Sequence, residues 1–177
     1  MAYDAWRSGS SLKERELSET ASLVAESGPC PKKTRTLSIE EAVDPRHIHA
    51  CYSPIVKYGY KVKLVKSTEL NAFVAYKAQI LEVLQHSKDE TIKRGDFRNF
   101  IKRKACRMEL KLEQEYLLMG QDGYTSDTDG KLQYLLESNS WIEELASERN
   151  CKASIHRSKC RQVQKFMEDY QNNGCMV

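Results

Sequence analysis

From Tyr58 the chain alternates. Tyr58, Tyr60, Val62 and Leu64 fall on one face, and Lys57, Lys61 and Lys63 on the other, which is the period-two signature of a half-buried strand. Residues 70–84 fit two templates. Leu70, Phe73, Val74, Ile80, Leu81 and Leu84 suit a helical stripe, whereas Tyr76, Ala78 and Ile80 suit a strand; the pattern alone favours the helix. Phe97 to Ile101 reads as a strand leading to Cys106, and Tyr116 to Gly120 as a short apolar run of central-strand type. An acidic loop, Gln121 to Gly130, precedes an alternating run with Leu132, Tyr134 and Leu136. Loop and flanking runs together predict a hairpin. Trp141-Ile142 reads as a buried anchor. Between Lys159 and Tyr170, Val163, Phe166, Met167 and Tyr170 share one face, and Asn172-Asn173-Gly174 follows as a stop; this predicts an amphipathic helix.

The beginning of the chain is different. Residues 1–29 are polar and rich in Ser and Glu, and are expected to be flexible and apart from the core. Gly28-Pro29-Cys30-Pro31 marks the expected start of order. Ser38-Ile39-Glu40-Glu41 has capping-box spacing for a short helix, which Pro45 is expected to end through its effect on Asp44. Short strands, flanking helices and scattered cysteines together predict a small β-barrel with helices packed on it, an α+β fold.

Composition narrows the function. The chain has 177 residues, 40% hydrophobic and 30% charged, which allows one domain with a tail or two very small ones. Twenty-eight Lys+Arg against 25 Asp+Glu give +3, too near neutral for a dedicated nucleic-acid binder. No apolar run approaches the ~18 residues of a membrane helix, so no membrane span is expected. The first 20 residues hold no continuous apolar segment, so no signal peptide is visible. The six cysteines, Cys30, Cys51, Cys106, Cys151, Cys160 and Cys175, form no C-x-x-C pair. Dispersed, even cysteines fit a disulfide framework in an oxidising compartment better than buried cytosolic thiols. Disulfides without an export signal imply that the chain is the C-terminal piece of a longer secreted precursor. Residue pattern leaves the pairing open.

Candidate chemistry is sparse. Asp127-x-Asp129-Gly130 echoes a calcium loop, but an EF-hand register puts Thr125 first and Leu136 twelfth, and neither suits; a solvated hairpin tip is the better reading. His47, His49 and Cys51 place three potential metal ligands on one face of an extended segment, with no fourth evident and no thiolate if Cys51 is oxidised. His86 and His156 stand isolated in polar stretches. No nucleophile elbow, H-E-x-x-H or P-loop occurs, and the adjacent Glu143 and Glu144 would point to opposite faces of a strand. Enzymatic activity is therefore not expected. Residues 93–107 hold seven basic side chains (Lys93, Arg94, Arg98, Lys102, Arg103, Lys104, Arg107) against Asp96, while 109–148 hold ten acids against Lys111 and Lys131. Solvated faces account for such runs, with steering of a complementary protein as the alternative.

Several segments carry a family resemblance: ACYSPIVKYGYKVKLV (50–65), FRNFIKRKACR (97–107), EYLLMGQDG (115–123), QYLLESNSWIEELASERNC (133–151) and NNGCMV (172–177). With their order and cysteine spacing, residues 30–177 resemble the C-terminal netrin-like (NTR) domain of the complement three, four and five family, most closely its complement-four branch. Residues 1–29 do not. The resemblance implies an OB-like five-stranded barrel with terminal helices, stapled by disulfides, and assigns residues 73–84 to a strand. It implies the bridges Cys30–Cys106, Cys51–Cys175 and Cys151–Cys160. It implies a non-enzymatic protein-interaction module of a secreted innate-immune protein, with no intrinsic cofactor, that helps recruit a serine-protease zymogen bearing a von Willebrand A domain. The Val177 carboxylate would reach a Mg²⁺ ion held by that partner. The alternative is a protease-inhibiting netrin-like domain, as in tissue metalloproteinase inhibitors. Those use a free N-terminal cysteine amine, whereas Cys30 here follows 29 residues and lacks the C-x-C start.

Overall fold

The computed structural model describes residues 30–34, 44–123 and 125–175. The segment 1–29 and the capping-box helix expected at Ser38–Glu41 lie outside the described residues. The elements in chain order are α1 (Pro45–Tyr52), β1 (Tyr58–Leu70), β2 (Phe73–Gln85), β3 (Phe97–Arg103), β4 (Glu115–Gly120), β5 (Thr125–Ser126), β6 (Leu132–Leu135), β7 (Trp141–Glu144), α2 (Glu148–Cys151) and α3 (Ser154–Asn173).

The strands form one mixed sheet in the order β5-β6-β3-β2-β1-β4-β7. The fold is α+β, but it is not the expected five-stranded barrel. Seven strands take part, and the end strands β5 and β7 do not pair, so the sheet stays open. On the outer edge of β7, Thr34 bridges in parallel to Glu143, and its N–H donates to the Ile142 carbonyl at 2.6 Å. The remaining pairs are antiparallel except β3 with β6.

β1 and β2 pair along their whole length, from Gly59↔Gln85 to Leu70↔Phe73. The helix favoured by pattern over 70–84 is therefore a strand. The reason lies in its burial. Tyr76, Ala78 and Ile80 enter one core cluster, Phe73 and Ala75 a second, and Leu84 a third. A strand buried on both faces loses strict alternation. Three register shifts, at Gly59/Tyr60, Lys61/Val62 and Leu64/Lys66, add the local twist that bulges bring.

One side of the sheet carries the main core. Tyr58, Tyr60, Val62 and Leu64 are fully buried there with Phe100, Tyr116, Leu118, Tyr134 and Ile142. We call this the tyrosine face, because the rings of Tyr58, Tyr60 and Tyr134 stand 4.7–5.6 Å apart. The opposite side is covered by α3, whose Val163, Phe166, Met167 and Tyr170 pack with Leu84, Leu117, Met119, Trp141 and Leu145. Gly59 permits this approach: a Cβ there would stand 2.9 Å from the Tyr170 ring. Gly174, with φ of 60°, ends α3, and its N–H donates to the Tyr170 carbonyl. Positive φ suits glycine at a helix end.

Asp44 is extended before Pro45, with φ of −63° and ψ of 125°, as expected, and the proline has a second role, while two further expectations change. Pro45 opens a helix, as the first residue of α1 behind the N-cap Asp44, whose carboxylate accepts from the Arg46 N–H at 2.9 Å; proline suits that position because its missing N–H would be unpaired anyway. The acidic tip is a hairpin tip, but its strands are β5 and β6. The run 115–120 pairs instead with β1 and β7. Asp127 shapes the tip by accepting from the N–H groups of Asp129 and Lys131, both at 2.9 Å. Finally, the basic run at 93–107 is not wholly a solvated face. Arg98 and Lys102 are both 3% exposed. Lys102 Nζ donates to the Cys106 carbonyl at 2.7 Å, where the Cys30–Cys106 disulfide ties the first described residues to the end of β3.

Candidate protein-docking site at the disulfide-anchored end

α1 is amphipathic in a particular way. Its inward residues are Arg46 and Ala50, and Arg46 is 1% exposed. A buried guanidinium needs acceptors for its whole fork. Glu143 on β7 takes Nε at 2.8 Å and Nη2 at 2.7 Å, and Asp44 takes Nη1 with both oxygens at 3.1 Å. Trp141 Nε1 donates to the same Glu143 carboxylate at 3.1 Å. His49, one turn along α1, lies 5.2 Å from the Trp141 ring. Burial holds its imidazole below the usual histidine range, against a hydrogen bond with the Asn139 backbone that favours the charged form. Strand alternation divides the two glutamates: Glu143 is buried under α1, and Glu144 faces the Lys111 ammonium at 3.6 Å.

The end of α3 is fastened to this structure. Cys175 is joined to Cys51 on α1, 124 residues earlier. Gln85 Nε2 donates to the Tyr170 carbonyl at 3.2 Å, and Gln171 Nε2 to the Val83 carbonyl at 3.1 Å. At the other end of α3, Cys151–Cys160 joins α2 to its first turns and lines a cleft of about 350 Å³ with Lys61, Glu115, Ser147 and Met167. The outer surface of α1 leaves Ile48 44% and Tyr52 73% exposed, one turn apart beside Cys51.

The structure does not bring all three suspected metal ligands together. His47, His49 and Cys51 lie on a helix, not an extended segment: His47 Nδ1 and Cys51 Sγ, one turn apart, stand 3.9 Å from each other, and His49 cannot share their face. Cys51 is consumed by its disulfide, and His49 turns inward onto Trp141. Among the described residues no group of three or more His, Cys, Asp or Glu is placed to hold a metal ion. Met176 and Val177 lie outside the described residues. Sequence reasoning passed over Arg46 and weighed Glu143 only against its neighbour Glu144, never as a partner for a buried cation. Their only signal was a charged residue at the inward phase of Trp141-Ile142-Glu143-Glu144, where alternation puts Trp141 and Glu143 on the same side.

The chain matches the family model described as the UNC-6/NTR/C345C module over residues 48–158, and it belongs to that family of NTR domains. Among curated relatives it is similar to complement C3 of Lethenteron camtschaticum, 29% identical over 148 residues, which is 82% of this chain and 9% of that protein. It is also similar to cobra venom factor of Naja kaouthia, 27% identical over 143 residues, which is 79% of this chain and 9% of that protein. The chain thus spans about a tenth of the length of these relatives. The three disulfides agree with an oxidising, extracellular setting. No described helix is long and apolar enough to cross a membrane. An NTR domain of this kind is a non-catalytic module, and neither the family match nor the described site supplies positive evidence of catalysis.

Proposed function

We propose that the domain docks a protein partner with its disulfide-anchored end, as a module of the complement-four branch. The partner in this reading is a complement serine-protease zymogen with a von Willebrand A domain, recruited for convertase assembly from a larger secreted protein. Residues 30–177 constitute the module. The observation that carries the reading is the triple attachment at the end of α3, through Cys51–Cys175, Gln85 and Gln171. Residues beyond Cys175 leave the fold from a fixed place. A short tether loses less freedom on binding than a free tail. Val177, two residues on, supplies a carboxylate to a Mg²⁺ ion held by the partner. Mg²⁺ accepts one or two carboxylates while keeping several waters. Ile48 and Tyr52, exposed beside the tether, offer apolar contact next to that polar anchor.

Surface plasmon resonance against a complement-two or factor-B type zymogen tests this. Binding should need Mg²⁺ and should disappear when residues are added after Val177 or its carboxylate is amidated, with circular dichroism unchanged. Undiminished binding by the extended chain would overturn it.

A further inference from the structure

The end of α3 farthest from the docking tether is strongly basic. Residues 149–165 hold Arg149, Lys152, Arg157, Lys159, Arg161 and Lys165, and no Asp or Glu. Six positive charges thus collect at one place in a chain whose net charge is +3. Lys159 is half-buried and the other five are exposed. The nearest acids in the chain are Glu148 before the run and Glu168 after it.

Contacts hold these cations on one surface. Cys151–Cys160 ties α2 to the first turns of α3. Across the join, Arg157 Nη2 donates to the Lys152 carbonyl at 3.1 Å, and the Lys152 N–H donates to the Arg149 carbonyl at 3.3 Å. Within α3, Arg157, Arg161 and Lys165 follow at four-residue spacing and form a single stripe, about 12 Å long at the helical rise. The stripe lies away from the buried Val163, Phe166 and Met167.

Among the described residues, none of the six cations takes part in an ion pair. The acids that line the neighbouring cleft are engaged elsewhere: Glu115 by Lys61, Glu144 by Lys111 and Glu143 by Arg46. Like charges at four-residue spacing destabilise a helix, and cations near its N-terminus oppose the helix dipole. α3 has neither a side-chain cap nor an acid in its first turn to offset them. A polyanion laid along the stripe relieves both.

We propose that the α2–α3 end binds a sulfated glycosaminoglycan chain. Lys and Arg clustered on one face fit such polyanions, and the planar forks of Arg149, Arg157 and Arg161 can each grip two oxygens of one anionic group. The disulfides agree with an extracellular setting, where sulfated polysaccharide coats cell surfaces and matrix. Anionic phospholipid faces mainly the cytoplasm. Single-stranded nucleic acid calls for aromatic stacking, and residues 149–165 contain no Phe, Tyr or Trp. The helix of 20 residues separates this surface from Cys175 by about 30 Å, so a domain held on a glycan keeps its docking end free.

Surface plasmon resonance of the full chain on immobilised heparan sulfate, in chelator and without any zymogen, tests this independently of the docking reading. Saturable binding is expected. It should weaken about a hundredfold between 50 and 200 mM salt, from a counterion-release slope of ~0.7 per contact over about five contacts. Arg157→Gln/Arg161→Gln/Lys165→Gln, at exposed positions, should weaken binding about tenfold or more with the melting temperature kept. Lys93→Gln/Arg94→Gln/Arg107→Gln removes equal charge from the other basic run and should leave affinity within about twofold. Desulfated chains should not bind. Absence of saturable binding at the lower salt, or equal losses in the two triple variants, would overturn the proposal. So would equal binding to desulfated chains, to vesicles of anionic phospholipid or to a DNA oligonucleotide.

Discussion

The two sides of the sheet bury charge by different routes. On the tyrosine face, Arg98 meets Asp89 nine residues earlier in the chain. Tyr134 donates to that carboxylate at 2.6 Å, and the Tyr60 and Tyr134 hydroxyls stand 2.8 Å apart. On the helix side, Arg46 meets Glu143, 97 residues away. The first pair pins a loop to the strand that follows it. The second cannot form until α1 meets β7, and the Cys51–Cys175 bridge likewise cannot form until α1 meets the end of α3. The ion pair of the tyrosine face is thus local in sequence, while the hydroxyls around it reach across the sheet from 45 and 74 residues away. The helix side depends on long-range closure, and that closure is what fixes the proposed docking end.

The comparison breaks most readily at the disulfides. In the loop-entropy model, removing Cys51–Cys175 costs about 5 kcal/mol, and removing Cys151–Cys160 roughly 2.7. Urea denaturation of the two double-serine variants should show that ordering, with the first losing protection over α1 and the end of α3. Equal costs would mean that long-range closure is not what holds the helix side.

Next in size is Glu143→Ala, which strands a buried guanidinium and should cost about 3–5 kcal/mol. Hydrogen exchange should rise over 45–52 and 141–144. Asp89→Ala strands Arg98 instead, and its exchange should rise over 86–98. If Glu143→Ala loosens both regions equally, the sides are not separable units.

What the sequence made legible follows the same division. β1 was readable because its lysines face outward and its Tyr58, Tyr60, Val62 and Leu64 face in. The face of α3 was readable because helical spacing is local. The pattern misread β2, since residues buried on both sides of a strand mimic a helical stripe. It misplaced the 115–120 run, because its partners β1 and β7 lie far off in the chain. The inward turn of Arg46, Arg98 and Lys102 was invisible, because a charged residue looks solvated until its acceptor is known. The Arg46–Glu143 pair, which organises the candidate site, joins residues 97 apart, and the inward phase of Glu143 beside Trp141 was its one local signal. The family resemblance identified β2 as a strand where pattern could not, and it also suggested a closed barrel that the open sheet does not form.

A smaller effect probes the network on the tyrosine face. Tyr134→Phe removes a donor to Asp89 and a partner of Tyr60 together. Tyr60→Phe removes one hydroxyl and leaves Asp89 fully met. Tyr60→Phe should cost about 0.5–1.5 kcal/mol, the net worth of one hydrogen bond, and Tyr134→Phe more. Thermal denaturation ranks them, and a reversed order would show that Asp89 relies on Arg98 alone.

The smallest expected effect separates the two sides by pH. Burial holds His49 below its ordinary value near 6.5. The unfolded chain therefore takes up this proton first as pH falls. The stability contributed by neutral His49 is complete above about pH 6.5 and is lost as pH falls from there through the folded-state value. Asp89 is also lowered, from 3.8: burial opposes this, but the hydrogen bonds from Arg98 and Tyr134 outweigh it. Its contribution persists down to about pH 4 and is lost below, as the folded-state value is passed. Glu137, raised by burial, has the opposite sign and gains stability as pH falls through its raised value toward about 4.3. A global melting curve mixes the three. Local exchange does not. Between pH 7 and 5, corrected for intrinsic rates, protection over 45–52 should fall while that over 97–103 holds. His49→Gln should flatten the first trend and leave the second untouched. An unchanged slope over 45–52 in that variant would mean that His49 does not govern the acid response of the docking end.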